Sequence, residues 1–531
     1  MSHVLLIGFM GAGKSRVGAA LAARLDQKFV DLDTLIETRE GMSIPELFTS
    51  GEDVFRDAEH EALQSLIDVP DSVIACGGGI VVRGENRALL GQLGRVVYLS
   101  VSAAEALARI GDTSGRPLLA GDGARLAPQI LNARLSLYRA AADFIVDTSG
   151  RDVSEVLKEV VSVLDAATVG RVLHVDAAAG YDVRIGPGAL GGLAETVKSA
   201  TGAGKVVVVS DTNVAPLYGT RVVESLSAAS IEADLIVIEA GEPSKDWETA
   251  GRLVCELADR RLGRDGAVVA LGGGVVGDIA GFAAAVYVRG IPVVQVPTTL
   301  LAQVDSSLGG KTGVDLPAGK NLAGAFWQPS AVVSDTTVLA TLPDAEWTSG
   351  LVEVAKSALL AGEAETAQLE SAARHLLMRD HVAVQDAVLM AAGFKASVVG
   401  GDERESGDRE CLNLGHTLGH AIERVLGYGV VSHGIAVAAG MRFAARLAED
   451  VFGAAPELTS RTEALLDALG ATYTVPADVA AETLFDAMLS DKKTRGGVIR
   501  FVLLRAPGDW AVVPVEAAVV MRHLERLLRA E

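Results

Sequence analysis

Along the first 165 residues, short apolar runs alternate with amphipathic stretches. Val4-Leu-Leu-Ile7, Val73-Ile-Ala75 and Val96-Val-Tyr-Leu99 are brief and rich in branched side chains, the pattern of buried strands. Arg16–Leu25 and Glu59–Ile67 between them read as helices, and Val153–Leu164 carries Val153, Val156, Leu157, Val160 and Leu164 on one stripe. Alternating β and α elements predict a parallel sheet covered on both faces. Ala166–Gly170 reads as a short join. Tyr181–Ile185, Lys205–Ser210, Asp234–Ile238, Ala267–Leu271 and Val293–Val296 then repeat the alternation, with helical segments between them. After about Pro343, long Ala/Leu/Glu-rich helices dominate to about Leu489, and Val498–Leu504 is a late β-like exception. The pattern divides the chain into an α/β domain over 1–166, a second α/β domain over 171–342 and a mainly helical domain over 343–531.

Composition narrows the function classes. The 531 residues include 47 Lys plus Arg and 68 Asp plus Glu, a formal net charge of −21. Phosphate backbones and anionic membranes call for a basic face, so neither nucleic acid nor membrane is an expected partner, while small phosphates in local basic pockets remain compatible. The 3 cysteines, Cys76, Cys255 and Cys411, are far apart and form no CxxC pair, which argues against a disulfide framework and fits a reducing cytosol. No stretch has the run of about 18 uncharged apolar residues that spans a bilayer. Ala267–Val288 comes closest, but Asp278 and the glycines of Gly272–Gly277 interrupt it. The expectation is a soluble cytoplasmic protein.

Gly8-Phe-Met-Gly-Ala-Gly13-Lys14-Ser15 matches GxxxxGK[ST] between a predicted strand and a predicted helix. Glycines such as Gly11 and Gly13 let backbone N–H groups turn toward phosphate oxygens, and the helix start adds positive potential. Lys14 suits the β and γ phosphates, and the Ser15 hydroxyl suits Mg²⁺. Asp31-Leu-Asp33 supplies two carboxylates at a strand end; on their own they read more readily as a solvated turn than as a site. Phe55-Arg56-Asp-Ala-Glu59 adds an arginine suited to a carboxylate, and Gly77-Gly78-Gly79 allows close backbone approach. Arg116-Pro-Leu-Leu119 lies in a lid-like composition, and Arg134 to Arg139 forms a basic helical cluster.

In order and spacing, this set resembles shikimate kinase over residues 1–165. The resemblance implies ATP and Mg²⁺ as partners, with Gly11, Gly13, Lys14 and Ser15 on the nucleotide and Ser15 and Asp31 supporting the metal. Asp33 would hold the attacking shikimate hydroxyl. Arg56 and Arg134 would clamp the shikimate carboxylate beside Gly77, Gly78 and Gly79. Arg116 would close over the transferring phosphate, and Arg109 would lie near the adenine. Arg16 departs from the family, which usually has a small hydroxyl residue after Ser15, and it puts a bulky cation near the α-phosphate side.

In the second half, Gly272-Gly-Gly274-Val275-Val276-Gly277-Asp278 satisfies GxGxxG after a predicted strand. The acid expected about 20 residues later is missing, because position 297 is Pro. The segment reads either as a dinucleotide site of unusual order or as several glycine turns. Among later polar residues, Glu353 and Lys356 share a helix face, as do His416 and His420. Glu353, His416 and His433 offer one carboxylate and two imidazoles, leaving an open position as a catalytic Zn²⁺ site requires. By spacing alone, His416/His420 looks more like a metal pair than Glu353, which reads as half of a surface ion pair.

The ordered string of polar motifs, densest over Asp305–Trp327, resembles 3-dehydroquinate synthase across residues 170–531. That resemblance implies Zn²⁺ or Co²⁺ on Glu353, His416 and His433. It implies NAD⁺ on Asp211, Asn213, Glu242, Lys245, Gly274 to Asp278, Thr298, Thr299, Lys311 and Lys320. Substrate, 3-deoxy-arabino-heptulosonate 7-phosphate, would lie among Arg289, Asp305, Lys311, Asn321, Lys356, Lys395, Arg409, Asn413, His420 and one of Lys492 and Lys493. The fold class implied for the chain is α/β: a P-loop NTPase-type sheet, a Rossmann-like NAD-binding domain and a mainly helical metal-binding domain. The function implied is a bifunctional enzyme of aromatic amino-acid biosynthesis, homodimeric through its synthase half. Two other readings remain: a second half that is another sugar-phosphate cyclase or a polyol dehydrogenase, and one half kept as a non-catalytic scaffold.

Overall fold

The computed structural model describes residues 3–67, 69–111, 123–166, 171–405, 407–427, 429–473, 475–476, 479–489 and 498–529. Contacts separate two compact units, one built on Met1–Gly170 and the other on Arg171–Ile185 and Ala189–Glu531.

The first unit holds β1 (His3–Ile7), β2 (Lys28–Asp31), β3 (Ser72–Ala75), β4 (Gly94–Ser100) and β5 (Phe144–Asp147). They form one sheet in the order β2-β3-β1-β4-β5, with every neighbouring pair parallel. β1 is central and all five of its residues are buried, as a strand covered on both faces must be. Its carboxyl end runs straight into the Gly8 loop and the helix Lys14–Leu25. Glycine is required in that loop: Gly8 has φ 145° and Gly11 φ 82°, and a Cβ at Gly8 would lie 2.4 Å from the Leu99 carbonyl oxygen.

The second unit holds β6 (Arg171–Val175), β7 (Tyr181–Gly186), β8 (Lys205–Asp211), β9 (Glu232–Ile238), β10 (Ala267–Gly272), β11 (Val293–Pro297) and β14 (Ala331–Asp335). Their order is β6-β7-β14-β11-β10-β8-β9. β6 and β7 pair antiparallel at one edge, while β14, β11, β10, β8 and β9 pair parallel in turn. Two antiparallel pairs stand outside this sheet: β12 (Lys311–Leu316) with β13 (Gly319–Phe326), and β15 (Ile499–Ala506) with β16 (Asp509–Val515).

The glycine-rich segment is not a set of separate turns. It ends β10 and opens the helix Gly274–Val286. The expected change at Pro343 is a change of secondary structure and not of packing unit. Val183 and Val332 of the sheet share one buried cluster with Leu351, Ile422 and Val437 of the helices. A further difference concerns His381–Gly401, a 21-residue helix long and apolar enough to cross a membrane by composition. It carries Asp386 and Lys395, and Val388, Ala391, Ala392 and Val399 bury it in that same cluster.

All four tryptophans, Trp247, Trp327, Trp347 and Trp510, belong to the second unit, so tryptophan emission reports its unfolding alone. Leu351 is fully buried. Leu351→Ala is expected to lower the stability of the emission-detected transition by about 2–5 kcal/mol, measured by urea titration.

Candidate active sites

In the first unit, the loop after β1 folds around the Lys14 side chain. The Lys14 ammonium donates to the carbonyls of Gly8 at 2.8 Å and Phe9 at 3.0 Å. It is held inside the loop that surrounds it, as a cradle for phosphates requires. Ser15 Oγ donates to Asp31 Oδ2 at 2.6 Å, and the other Asp31 oxygen caps the next helix by accepting from Thr34 N. Hydroxyl and carboxylate thus meet at one point, a donor pair that suits Mg²⁺. Arg16 is exposed on the first helical turn.

Arg56 is 4% exposed and pairs with Glu59 at 2.9 Å and Glu52 at 3.0 Å. Its guanidinium lies against Gly79, where a Cβ would be 2.0 Å from Nη1. Arg134 Nη1 donates to the Gly78 carbonyl at 3.0 Å, and so does the Tyr138 hydroxyl at 2.5 Å. A Cβ at Gly77 would lie 2.8 Å from Asp33 Oδ1 and 3.0 Å from Glu59 Oε1. The three glycines therefore bring Asp33, Arg56 and Arg134 against one short stretch of backbone. Glu59, given no role above, is fully buried; burial pushes its carboxyl up against the pull of Arg56. Arg109 bonds to Thr148 Oγ1 and pairs with Glu105. Arg116 lies outside the described residues.

In the second unit, Glu353 is 1% exposed, which corrects its reading as half of a surface ion pair. It pairs with buried Lys356 at 2.5 Å. Burial pushes the Lys356 ammonium down, and the charges of Glu353 and Asp305 more than offset this. Among the described residues Glu353 Oε1 has no hydrogen-bond donor, and the Nε2 atoms of His416 and His433 stand 3.7 and 3.8 Å from it. His416 Nδ1–H donates to the Leu414 carbonyl and His433 Nδ1–H to Glu423, leaving the Nε2 lone pairs facing Glu353. A buried orphan carboxylate oxygen facing two imidazole lone pairs fits a divalent metal. The i,i+4 partner His420 instead falls in a second donor group, with Glu423 and His433. Burial pushes the Glu423 carboxyl up, but the His433 hydrogen bond and charge bring it down to about 2.

Cations surround this centre. Lys395 donates to both the side chain and the carbonyl of Asp305. Burial would raise the Asp305 carboxyl, but Lys395 and Lys356 hold it well below the usual carboxylate range. Arg409 is 1% exposed and donates to the carbonyls of Gly309 and Glu403. Glu405, missed from the sequence, accepts from Asn413 at 3.3 Å and pairs with Lys311 at 2.5 Å. No spacing marks it, because it lies in a loop.

The dinucleotide residues form a second group. Lys245 pairs with Asp278 at 2.5 Å and donates to Asn321 Oδ1 at 2.6 Å. Lys320 pairs with Glu242 at 3.3 Å and Glu423 at 3.4 Å. Asp211 caps the β8 turn, accepting from the backbone N–H of Asn213 and Val214. Thr298 Oγ1 is buried without a partner among the described residues, and Thr299 accepts from Ala302 N. The residues Gly274, Val275, Val276 and Gly277 form the first turn of the helix after β10, so the positive end of a helix and the nearby buried Thr298 hydroxyl suit a dinucleotide diphosphate. Arg289 is exposed on the turn after that helix, and no hydrogen bond or ion pair joins it to the cation cluster among the described residues. Lys492 and Lys493 lie outside the described residues.

Fold and sites together define a P-loop phosphotransferase unit joined to an α/β unit with a dinucleotide-binding edge and a Glu/His/His metal centre. Family comparison agrees: a shikimate kinase profile matches residues 10–165, and profiles for the N-terminal and C-terminal parts of 3-dehydroquinate synthase match 235–349 and 350–494. The 3-dehydroquinate synthase of Geobacter metallireducens is 47% identical over 334 residues, 63% of this chain and 92% of the relative. That of Laribacter hongkongensis is 44% identical over 348 residues, 66% of this chain and 95% of the relative. A 2-deoxy-scyllo-inosose synthase complexed with carbaglucose-6-phosphate, NAD⁺ and Co²⁺ matches with a TM-score of 0.62 at 26% identity, covering 67% of this chain and 99% of that one. The chain belongs to the 3-dehydroquinate synthase family and carries a shikimate kinase domain before it, so it is a bifunctional enzyme.

A Cβ at Gly79 leaves no room for Arg56 in its present place. Gly79→Ala is expected to raise the kinase KM for its carboxylate-bearing acceptor about tenfold or more, the loss of one charge-assisted contact. Metal binding by the second unit should be unchanged; steady-state kinetics and metal analysis check the two halves.

Proposed function

We propose that the first unit transfers the γ-phosphoryl group of Mg²⁺-ATP to shikimate, giving shikimate 3-phosphate. The Ser15–Asp31 hydrogen bond, next to a Lys14 held inside its glycine loop, carries this reading. Lys14 exchanges its loop carbonyls for the β and γ phosphates. Ser15 and Asp31 hold Mg²⁺, and Asp33 orients the attacking hydroxyl and accepts its proton. Arg56 and Arg134 bind the carboxylate, and Arg116 closes over the transferring group. Positioning and charge supply the catalysis.

The second unit converts 3-deoxy-arabino-heptulosonate 7-phosphate to 3-dehydroquinate and phosphate. The orphan Glu353 oxygen between two imidazoles, inside a ring of cations, carries this reading. When bound, NAD⁺ supplies a hydride acceptor restored within each turnover, and Zn²⁺ or Co²⁺ supplies Lewis-acid polarisation of hydroxyls. The chain's own residues bind and aim. Lys356, Lys395 and Arg409 take the phosphate and carboxylate of the substrate by charge-assisted hydrogen bonds. Asp305 holds Lys395 in place and offsets part of the burial that pushes its ammonium down; Glu405 does the same for Lys311 and accepts from Asn413. His420 stands beside His416 at a ring separation of 5.4 Å, within reach to hold or pass a proton. The alternative, another sugar-phosphate cyclase, rests on a match at 26% identity against 47% for the synthase relative. The setting is the cytoplasm, where the small substrates and both nucleotides are supplied.

The synthase half is also proposed to form a homodimer. Trp247, Val286, Leu322 and Phe326 are exposed on adjoining elements of the second unit, an apolar patch of the kind that marks association. Light scattering is expected to find two chains per particle, and Trp247→Glu with Phe326→Glu one.

Phosphate release from the heptulosonate phosphate by the full-length chain tests the synthase. It should need metal and catalytic NAD⁺, proceed without ATP and build up no NADH; folded, metal-loaded protein that releases none sinks the reading. Lys14→Ala should lower kinase turnover about a hundredfold or more, as loss of a transition-state charge contact does, and leave phosphate release unchanged. A joint fall of both activities in folded protein would refute independent sites.

A further inference from the structure

We propose that Glu423 is a positioning residue of the metal centre and that Lys320 holds it in place; this rests on Glu353, His416 and His433 being the metal ligands. Two overlapping donor groups occur here: Glu353, His416 and His433, and His420, Glu423 and His433. They share His433, so its two ring nitrogens decide between them. Nε2 lies 3.8 Å from Glu353 Oε1, near the edge of a tetrahedron of donors about 2 Å from one centre. Nδ1 lies 3.1 Å from Glu423 Oε2, a hydrogen-bond length. With its hydrogen on Nδ1 and accepted by Glu423, the ring keeps its lone pair on Nε2 and turns it toward Glu353. Glu423 therefore sets the tautomer and the ring plane without ligating. His416 is oriented in the same sense by the neutral Leu414 carbonyl. His433 differs in being backed by a full negative charge.

That charge is itself buried, with Glu423 only 4% exposed. A buried carboxylate holding one imidazole hydrogen needs further compensation. It comes from Lys320 on β13, whose ammonium lies 3.4 Å from Glu423 Oε1 and 3.3 Å from Glu242 Oε1. Glu242, Lys320, Glu423 and His433 make one chain of contacts from the dinucleotide side to the metal side. Without the ammonium, Glu423 loses the contact that fixes its second oxygen and is free to rotate off His433.

Co²⁺ titration of metal-free full-length protein tests this, read by the visible absorption of the bound ion and by equilibrium dialysis. His416→Ala should abolish binding. Glu423→Ala should weaken it about 10- to 100-fold, the usual effect of losing such a support, and shift the absorption bands. Glu423→Gln still accepts from Nδ1 and matches the shape of Glu423, so it serves even where the alanine variant fails to fold. It should weaken binding about two- to tenfold, and Lys320→Met about three- to tenfold, below the full loss of support. Wild-type affinity and bands in Glu423→Gln and Glu423→Ala, with binding lost in His416→Ala, would overturn the role of Glu423. Wild-type affinity in Lys320→Met would overturn that of Lys320. Retention in His416→Ala, with loss in His420→Ala and Glu423→Gln, would make Glu423 a ligand and overturn the ligand set instead.

Discussion

A charge taken out of water must be matched, and both active sites are arranged around that requirement. Lys356, Lys395, Arg409, Glu353 and Glu423 are nearly or fully buried, at a cost that no isolated ion could meet. Each has a partner: Lys356 with Glu353, Lys395 with Asp305, Arg409 with two carbonyls, Glu423 with His433 and Lys320. The same holds in the first unit for Arg56 with Glu52 and Glu59, and for Lys14 with its loop carbonyls. These partners keep the cations in position before any anion arrives. A substrate phosphate or carboxylate then enters a site whose geometry is already set, so little binding energy goes into ordering side chains.

The two units reach this state by the same structural route. In each, a parallel sheet delivers its chemistry where strands end and helices begin, the place where helix N-termini and loop N–H groups face outward. β1 ends in the Gly8 loop, β10 in Gly272, and β8 in the Asp211 turn. Anions of nucleotides suit these edges by backbone geometry alone, and side chains then distinguish one chemistry from another. In the second unit, the helices from Asp344 onward add the metal donors and share a buried core with the sheet, which makes sheet and helices one packing unit.

Much of this was legible along the chain because the relevant interactions are local. Buried parallel strands need branched apolar runs, so Val4–Ile7 and Lys205–Ser210 were readable directly. The P-loop was readable because its glycines, lysine and serine act within one turn. The β12–β13 pair was not, since Lys311–Phe326 is glycine-rich and half-exposed and has little strand-like alternation. Glu423 had a faint signal as the third member of a stripe with His416 and His420, at helical spacing. Glu405 had none, because only the fold brings its loop to Lys311, 94 residues away.

By itself, the sequence determined the order of elements, the phosphate-binding loop and the kinds of side chain available for chemistry, since each depends on neighbours within a few residues. Tertiary structure alone decided which of those side chains meet. It turned Glu353 from a helical acid beside a lysine into a buried oxygen facing two imidazoles. It placed His420 in a different donor group from His416 and joined Lys320 to Glu423 across 103 residues. Contacts at such separations depend on how sheets and helices pack, and no local pattern along the chain encodes them.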